Sequence, residues 1–322
     1  MKLGTRQAVY AAILGDILVA VTKGVASIIT GSSSMLSEAI HSLVDTGNEC
    51  LLIYGMKRST RLPDRAHPFG YGRELYFWSF IVALLIFSLG AGAAFYEGIT
   101  HLMAPNPIEH PLVNYVVLTL SLLIQMASWF VALRTVHASK GKQSYWQAMT
   151  QSKDPPQFIV LLEDSAAIVG ILIALVGTWA SVRFHEPRCD GIASLLIGTV
   201  LAAVSIVLAR ESKGLLIGER ADPVLQQSIV EHAKKIPGII TINGIVTTQL
   251  SPQAVVAALS VEFDHDLRVI QVEKIVEELE VAIRKVHPEV TALFVKPQSS
   301  LGYLNAHRRY FGEPTPGMSI PL

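Results

Sequence analysis

Charge is scarce in this 322-residue chain: Asp, Glu, Lys and Arg together make up 16% of it, against roughly 25% in an ordinary soluble domain. The shortfall points to a membrane. Nor is there an excess of either sign, since 26 basic residues balance 26 acidic ones, which excludes the strongly basic signature of a nucleic-acid binder. Cysteine is almost missing as well. Cys50 and Cys189 are too few and too far apart for a disulfide framework or a cysteine-based zinc site, and both read as small apolar packing residues. No small-residue cleavage pattern follows the first apolar segment, so it reads as a retained membrane helix and not as a signal peptide.

Apolar residues fill the gap, at 51% of the chain with a mean hydropathy of +0.43. A spanning helix needs about 20 mostly apolar residues, and six windows qualify, at roughly 8–29, 34–56, 75–96, 112–133, 158–182 and 191–209. Basic residues mark one side. Lys2 and Arg6 precede the first window, Lys57, Arg58, Arg61, Arg65 and Arg73 follow the second, and Arg134, Lys140, Lys142 and Lys153 follow the fourth. The odd-numbered loops hold only Arg183 and Arg188, in the fifth, so both termini are expected in the cytoplasm. From about Asp222 the pattern becomes that of a small soluble unit. A helix runs from an Asp-Pro start to a Pro-Gly stop, and "IITINGIVTTQL" reads as a strand. "AVVAALSVEF" alternates, with Val255, Ala257, Leu259, Val261 and Phe263 on one face. Val272, Ile275, Val276, Leu279, Ile283 and Val286 form a helical stripe, and "VTALFVKP" closes the unit. The expected fold is therefore a polytopic α-helical membrane protein of six transmembrane helices (1–212). A C-terminal cytoplasmic α-β-β-α-β domain of ferredoxin-like type (213–298) follows, with a loose tail (299–322) rich in Pro, Gly and Ser.

The second window contains "SEAIHSLVDTGNE". His41 and Asp45, four residues apart, share one helix face. Ionisable groups at membrane depth cost a few kcal/mol or more and face a bundle interior or a watery cavity. The plainer reading is a buried pair that satisfies itself; the membrane cost favours function. By helical rise, His41 and Asp45 lie roughly 10 and 16 Å below the outer surface, and Asp164 in "FIVLLEDSAAIVG" roughly 13 Å above the inner one. All three fall near the midplane, where transporters bind cargo. An imidazole with carboxylates suits a divalent transition metal such as Zn²⁺. Because His41 also titrates near physiological pH in its ordinary state, metal and protons can exchange at one place.

"HSLVD", "PDRAHPFGYGRELYFWSF", "LLEDSAA", six apolar windows and the α-β-β-α-β unit together resemble the cation diffusion facilitator family over roughly residues 5–297, and within it the branch containing vertebrate zinc transporter nine. The resemblance implies a homodimer in the lipid bilayer that exchanges a divalent metal for protons. His41 and Asp45 would supply half of the transport site and Asp164 the contribution of the fifth helix. The chain departs from the family pattern four residues before Asp164, where zinc-transporting relatives carry a further ligand and this chain has Val160. Asn48 and Glu49, Glu163 on a turned helix, or water are the candidates for that place. An oxygen-rich set would shift preference from zinc toward manganese or iron, while for Asn48 a helix–helix hydrogen bond is the equal alternative. In the loop, Asp64 and His67 match a family site but Tyr71 replaces its next histidine, so "HPFGYGR" reads as a structural turn. Where relatives bind zinc in the cytoplasmic domain, the register gives Asn243, Ser260, Phe294 and Lys296. His232, His265 and His287 read as scattered surface residues, which leaves dimerisation as that domain's role. Asp16 and Lys23, two turns apart, need not pair; Asp16 either lines a proton route or makes a structural hydrogen bond. Asp190 reads as a cap at the start of the sixth window, and the small residues of "LGAGAAFYEG" suit close helix packing.

The functional expectation is a metal/proton antiporter that exports Zn²⁺ first, with Mn²⁺, Fe²⁺, Co²⁺ or Cd²⁺ as other cargoes. It holds no prosthetic group, is not an enzyme, and sits in a membrane of bacterial inner-membrane type. A transport-inactive scaffold that kept the fold is the alternative. An intramembrane metal hydrolase is the weakest reading, since it needs an open metal position and a placed base, with Glu163 the only nearby group for that part.

Overall fold

The computed structural model describes residues 3–141 and 143–311, in two compact units, Met1–Lys213 and Gly214–Leu322. The first unit is helical throughout. Helix α1 spans Leu3–Thr30, α2 Ser33–Ser59, α3 Glu74–Leu85 and α4 Gly92–Met103. A π-helical turn over Ile86–Ala91 joins α3 and α4 into one 30-residue helix. Then come α5 (Pro111–Ser139), the short α6 (Tyr145–Gln151), α7 (Pro155–Phe184) and α8 (Arg188–Ile217). Each apolar window of the sequence thus lies within a long helix. Among the described residues, the helices long and apolar enough to cross a bilayer number four: the joined α3–α4, α5, α7 and α8. Helix α2 falls outside this set because it carries Glu38, Asp45, Glu49, Lys57 and Arg58, and the side chains of α1 are described only from Asp16 onward.

The α1–α2 hairpin turns on Gly31, whose φ of 64° suits a residue without a side chain. Ser32 then caps α2, its Oγ accepting from Met35 N at 3.2 Å. Asp190 is a cap of a different kind from the one expected. From the first turn of α8 it reaches the start of α2 and accepts hydrogen bonds from Ser32 Oγ at 3.0 Å, from Ser34 N at 3.2 Å and from Ser34 Oγ. A buried carboxylate at a helix N-terminus also meets the positive end of the helix dipole. Helix α2 lies at the centre of the unit, packing on α1, α3, α4 and α7, while α5 packs on α1 and α7. The core includes Met35, Leu52, Val82, Leu118, Ile159, Ile171 and Leu201.

In the second unit, α9 (Pro223–Ala233), β1 (Ile239–Ser251), β2 (Ala254–Phe263), α10 (Val269–Val286), β3 (Val290–Pro297) and α11 (Ser300–Phe311) follow in order. The sheet runs β1-β2-β3, with β1 antiparallel and β3 parallel to β2. The alternating face of β2 is buried in full, from Val255 to Phe263, and Ala257, Leu259, Val261 and Phe263 share one core with Leu279 and Ile283 of α10 and Ile229 of α9. The expected loose tail begins instead with a docked helix. Asn243 Nδ2 donates to Gln298 O at 2.8 Å, and Glu262 Oε2 accepts from the Ser300 hydroxyl and from Ser300 N at 3.1 Å. Tyr303 lies over Gly244, where any side chain would collide with its hydroxyl. The part of the expected tail beyond 311 lies outside the described residues.

The Ser300 hydroxyl and amide hold the Glu262 carboxyl below its ordinary range. A carboxyl lowered in this way contributes stability above the unfolded glutamate value and loses it as pH falls through the folded one. The amides of α11 should therefore be protected from hydrogen exchange at neutral pH and lose protection as pH falls below the ordinary glutamate range, with Ser300→Ala weakening protection already at neutral pH. Protection of α11 that is constant across this range would contradict the contact's role.

Candidate metal centre

The polar residues of α2 fall on one stripe, Glu38, His41, Ser42, Asp45, Asn48 and Glu49, while Leu43 on the other side is 62% exposed. Helical spacing alone produces this segregation. Glu38 and Asn48 are fully buried and His41 nearly so. His41 Nδ1 stands 3.3 Å from Asp45 Oδ1, but the alignment makes no hydrogen bond, and both imidazole nitrogens and Asp45 Oδ1 are buried without a hydrogen-bond partner. Buried polar atoms are nearly always paired, so the two bare ring nitrogens beside a bare carboxylate oxygen call for a reason.

Across from it, α7 supplies Glu163 and Asp164, both buried. Each is already engaged. Gln125 Nε2 donates to Asp164 Oδ1 at 2.6 Å and Ser128 Oγ to Asp164 Oδ2 at 2.9 Å, both from α5. Asn48 Nδ2 donates to Glu163 Oε1 at 2.8 Å, which leaves Asn48 Oδ1 without a partner. Glu49 faces Asp16 of α1 within hydrogen-bonding reach. A cavity of about 60 Å³ runs between these helices, lined by Asp16, Lys23, Asp45, Glu49, Gln125, Ser128, Val160, Glu163 and Asp164 among others.

All six residues expected at the site lie on two facing helices, and five of them meet at the cavity: Asp45, Glu49, Glu163 and Asp164 line it and Asn48 reaches Glu163. His41 is joined to them through Asp45 and does not itself line the cavity. The set is gathered but not closed: among the described residues no three His, Cys, Asp or Glu side chains converge in a metal-binding cluster. Val160, expected to leave a ligand place empty, faces the same cavity. The partners on α5 were not anticipated, although Ser121, Gln125 and Ser128 recur at i, i+4 and i+7 in an otherwise apolar helix, a signal the sequence carries. The donor set offers one imidazole and several oxygens, which fits a borderline or hard divalent cation.

Elsewhere the loop behaves as a turn. Asp64 accepts from Ala66 N, His67 N and the Tyr71 hydroxyl at 2.9, 2.7 and 2.6 Å, and the Tyr71 hydrogen bond, first among these, holds the Asp64 carboxyl below its ordinary range. In the second unit Asn243 and Ser260 are tied to Gln298. His232 and His287 are not scattered: their rings stand 6.2 Å apart, both touching Ser228, with Glu289 Oε1 3.3 Å from His287. His265 is exposed, as expected.

Comparison with known proteins bears on both units. The family model described as the cation efflux transmembrane domain matches residues 9–217, and that of the cation efflux protein cytoplasmic domain matches 221–296. The chain is 37% identical over 245 residues to the human "Proton-coupled zinc antiporter SLC30A9, mitochondrial", covering 75% of this chain and 43% of that protein. To the Xenopus laevis protein of the same name it is 36% identical over 244 residues, covering 75% and 44%. To the "Cation-efflux pump FieF" of Cronobacter sakazakii it is 26% identical over 287 residues, covering 88% of each. The chain thus spans less than half the length of the two SLC30A9 relatives.

Proposed function

This chain belongs to the cation efflux family, and from that membership we propose that it carries a divalent transition-metal cation out of the cytoplasm in exchange for protons. In this reading α1 and α2 cross the bilayer with the four apolar helices, both termini are cytoplasmic, and the cytoplasmic unit pairs two copies into a homodimer. Whether the membrane is a bacterial inner membrane or a mitochondrial one, the basic loops face the compartment from which cargo enters.

One observation supports this reading most. His41 is buried with both ring nitrogens unpartnered, beside Asp45, on a face that continues into a carboxylate-lined cavity. A histidine kept only for packing would have its nitrogens hydrogen-bonded. We assign His41, Asp45 and Asp164 as the cargo ligands. Asp164 then has to exchange the Gln125 amide and Ser128 hydroxyl for the cation as α7 moves toward α2. The described arrangement is one end of an alternating-access cycle, with Gln125 and Ser128 holding the carboxylate between cargoes. The free Asn48 oxygen, or Glu163 or Glu49 released from its neighbour, supplies the oxygen that Val160 cannot. Such a set accepts zinc and also tolerates manganese or iron.

The test is metal-driven proton flux in proteoliposomes, scanning Zn²⁺, Mn²⁺, Fe²⁺, Co²⁺ and Cd²⁺. We expect flux with zinc, and with one or two of the others, abolished by Asp164→Ala. The open ligand set at Val160 also fits a scaffold that no longer transports. No flux with any of these metals, in folded dimeric protein, would favour that second reading.

A further inference from the structure

Lys23 is 2% exposed and Glu38 0%, and their charged ends meet at 3.0 Å. The ammonium also donates to Ser42 Oγ at 2.9 Å. Glu38 and Ser42 lie either side of His41 on the α2 stripe, so Lys23 of α1 grips the very face that carries the His41–Asp45 pair. The carboxylate reaches further: a side chain at Gly170 of α7 would collide with Glu38 Oε1, so Glu38 occupies room that α7 leaves open only by having glycine there. The pair therefore bridges the three helices α1, α2 and α7. A buried ion pair is weak as a source of stability, because the desolvation of both charges offsets most of their attraction. In a membrane segment the cost is higher still.

The pair is also oriented. Lys23 lines the cavity with Asp45, Glu163 and Asp164, while Glu38 does not. Lys23 thus borders the space that a cation must enter, and Glu38 stands outside its lining. Resting on the transport reading above, we infer that Lys23 sets the affinity of the site as a tethered cation, held back by Glu38 so that a divalent cargo binds weakly enough to leave. Repulsion scales with the charge of the cargo, so a divalent ion feels Lys23 twice as strongly as a monovalent one at equal distance. Glu38 acts as a positioning residue, since it keeps the ammonium beside Ser42 and off the Asp45 carboxylate.

Zinc titration of the purified full-length protein, with metal release to a chelator followed by stopped flow, tests this in two directions. Lys23→Met/Glu38→Gln removes both charges with little change of shape and should tighten zinc binding about tenfold and slow release to match. Glu38→Gln alone keeps an acceptor for the ammonium but removes its compensating charge and should weaken binding by a similar factor, while Lys23→Arg with Glu38 kept should stay near the unsubstituted affinity. The single variant carries the test if the double variant does not fold. Unchanged affinity in either folded variant would make the pair a plain structural staple and overturn the inference. Absence of zinc binding in the unsubstituted protein, with no difference made by Asp164→Ala, would instead overturn the transport reading, and this inference with it.

Discussion

Replacing His41 by alanine should abolish metal-driven proton flux and reduce metal affinity by about a hundredfold or more, since loss even of groups that merely orient a ligand costs ten- to a hundredfold. The side chain is 2% exposed and makes no hydrogen bond that its loss would break. Its removal leaves a small cavity but no orphaned partner, so some stability is lost while the folded dimer should persist, and a folded but inactive dimer is what separates a ligand from a packing residue. Asp45→Asn should lose flux to a similar degree, because the amide keeps the shape of the carboxylate but not its charge. Loss of flux together with loss of the folded dimer would return His41 to a structural role.

Replacing Asp190 by alanine should strongly destabilise the helical unit. Three buried donors, Ser32 Oγ, Ser34 N and Ser34 Oγ, would lose their acceptor at once. Each unsatisfied buried group costs about 1–3 kcal/mol. Ser32 Oγ and Ser34 Oγ are 3.2 Å apart and can turn toward each other, so a total of about 2–4 kcal/mol is expected. The start of α2 also loses a negative charge at its positive end. For a membrane protein that unfolds irreversibly, the reading is a shorter half-life at elevated temperature in detergent. Asp190→Asn, which keeps an acceptor oxygen, should lie between the two. An unchanged half-life in the alanine variant would mean that the α8–α2 contact does not hold the hairpin.

Much of this architecture is legible from the residues alone, for physical reasons. Burial in an apolar medium leaves long uncharged runs, and each of the six windows lies within one long helix. The i, i+4 spacing of His41 and Asp45 fixes their common face whatever surrounds them. In the second unit the alternation of Val255 to Phe263 could follow only from a strand with one covered side. What escaped is of two kinds. The Lys23–Glu38 bridge and the Gln125–Asp164 hydrogen bond join different helices, and spacing along the chain says nothing about which helices meet. Other features carried a signal that went unread. Ser144 and Gln147 form a capping box that opens α6, Ser121, Gln125 and Ser128 mark a polar stripe on α5, and "SLGYLNAHRRYF" becomes α11 despite the glycine within it. The pairing of His232 with His287 was hidden because they lie 55 positions apart, while the packing of α9 on the end of α10 brings them together.

The most direct test is X-ray absorption at the zinc edge of the metal-loaded full-length protein, compared with the His41→Ala variant. The account predicts a first shell of one imidazole nitrogen with carboxylate and other oxygens at about 2.0–2.2 Å, with the imidazole signature lost in the variant. A shell with two or more imidazoles that His41→Ala leaves untouched would place the metal elsewhere, with His232 and His287 the first pair to examine, and would contradict the assignment of a midplane site on α2 and α7.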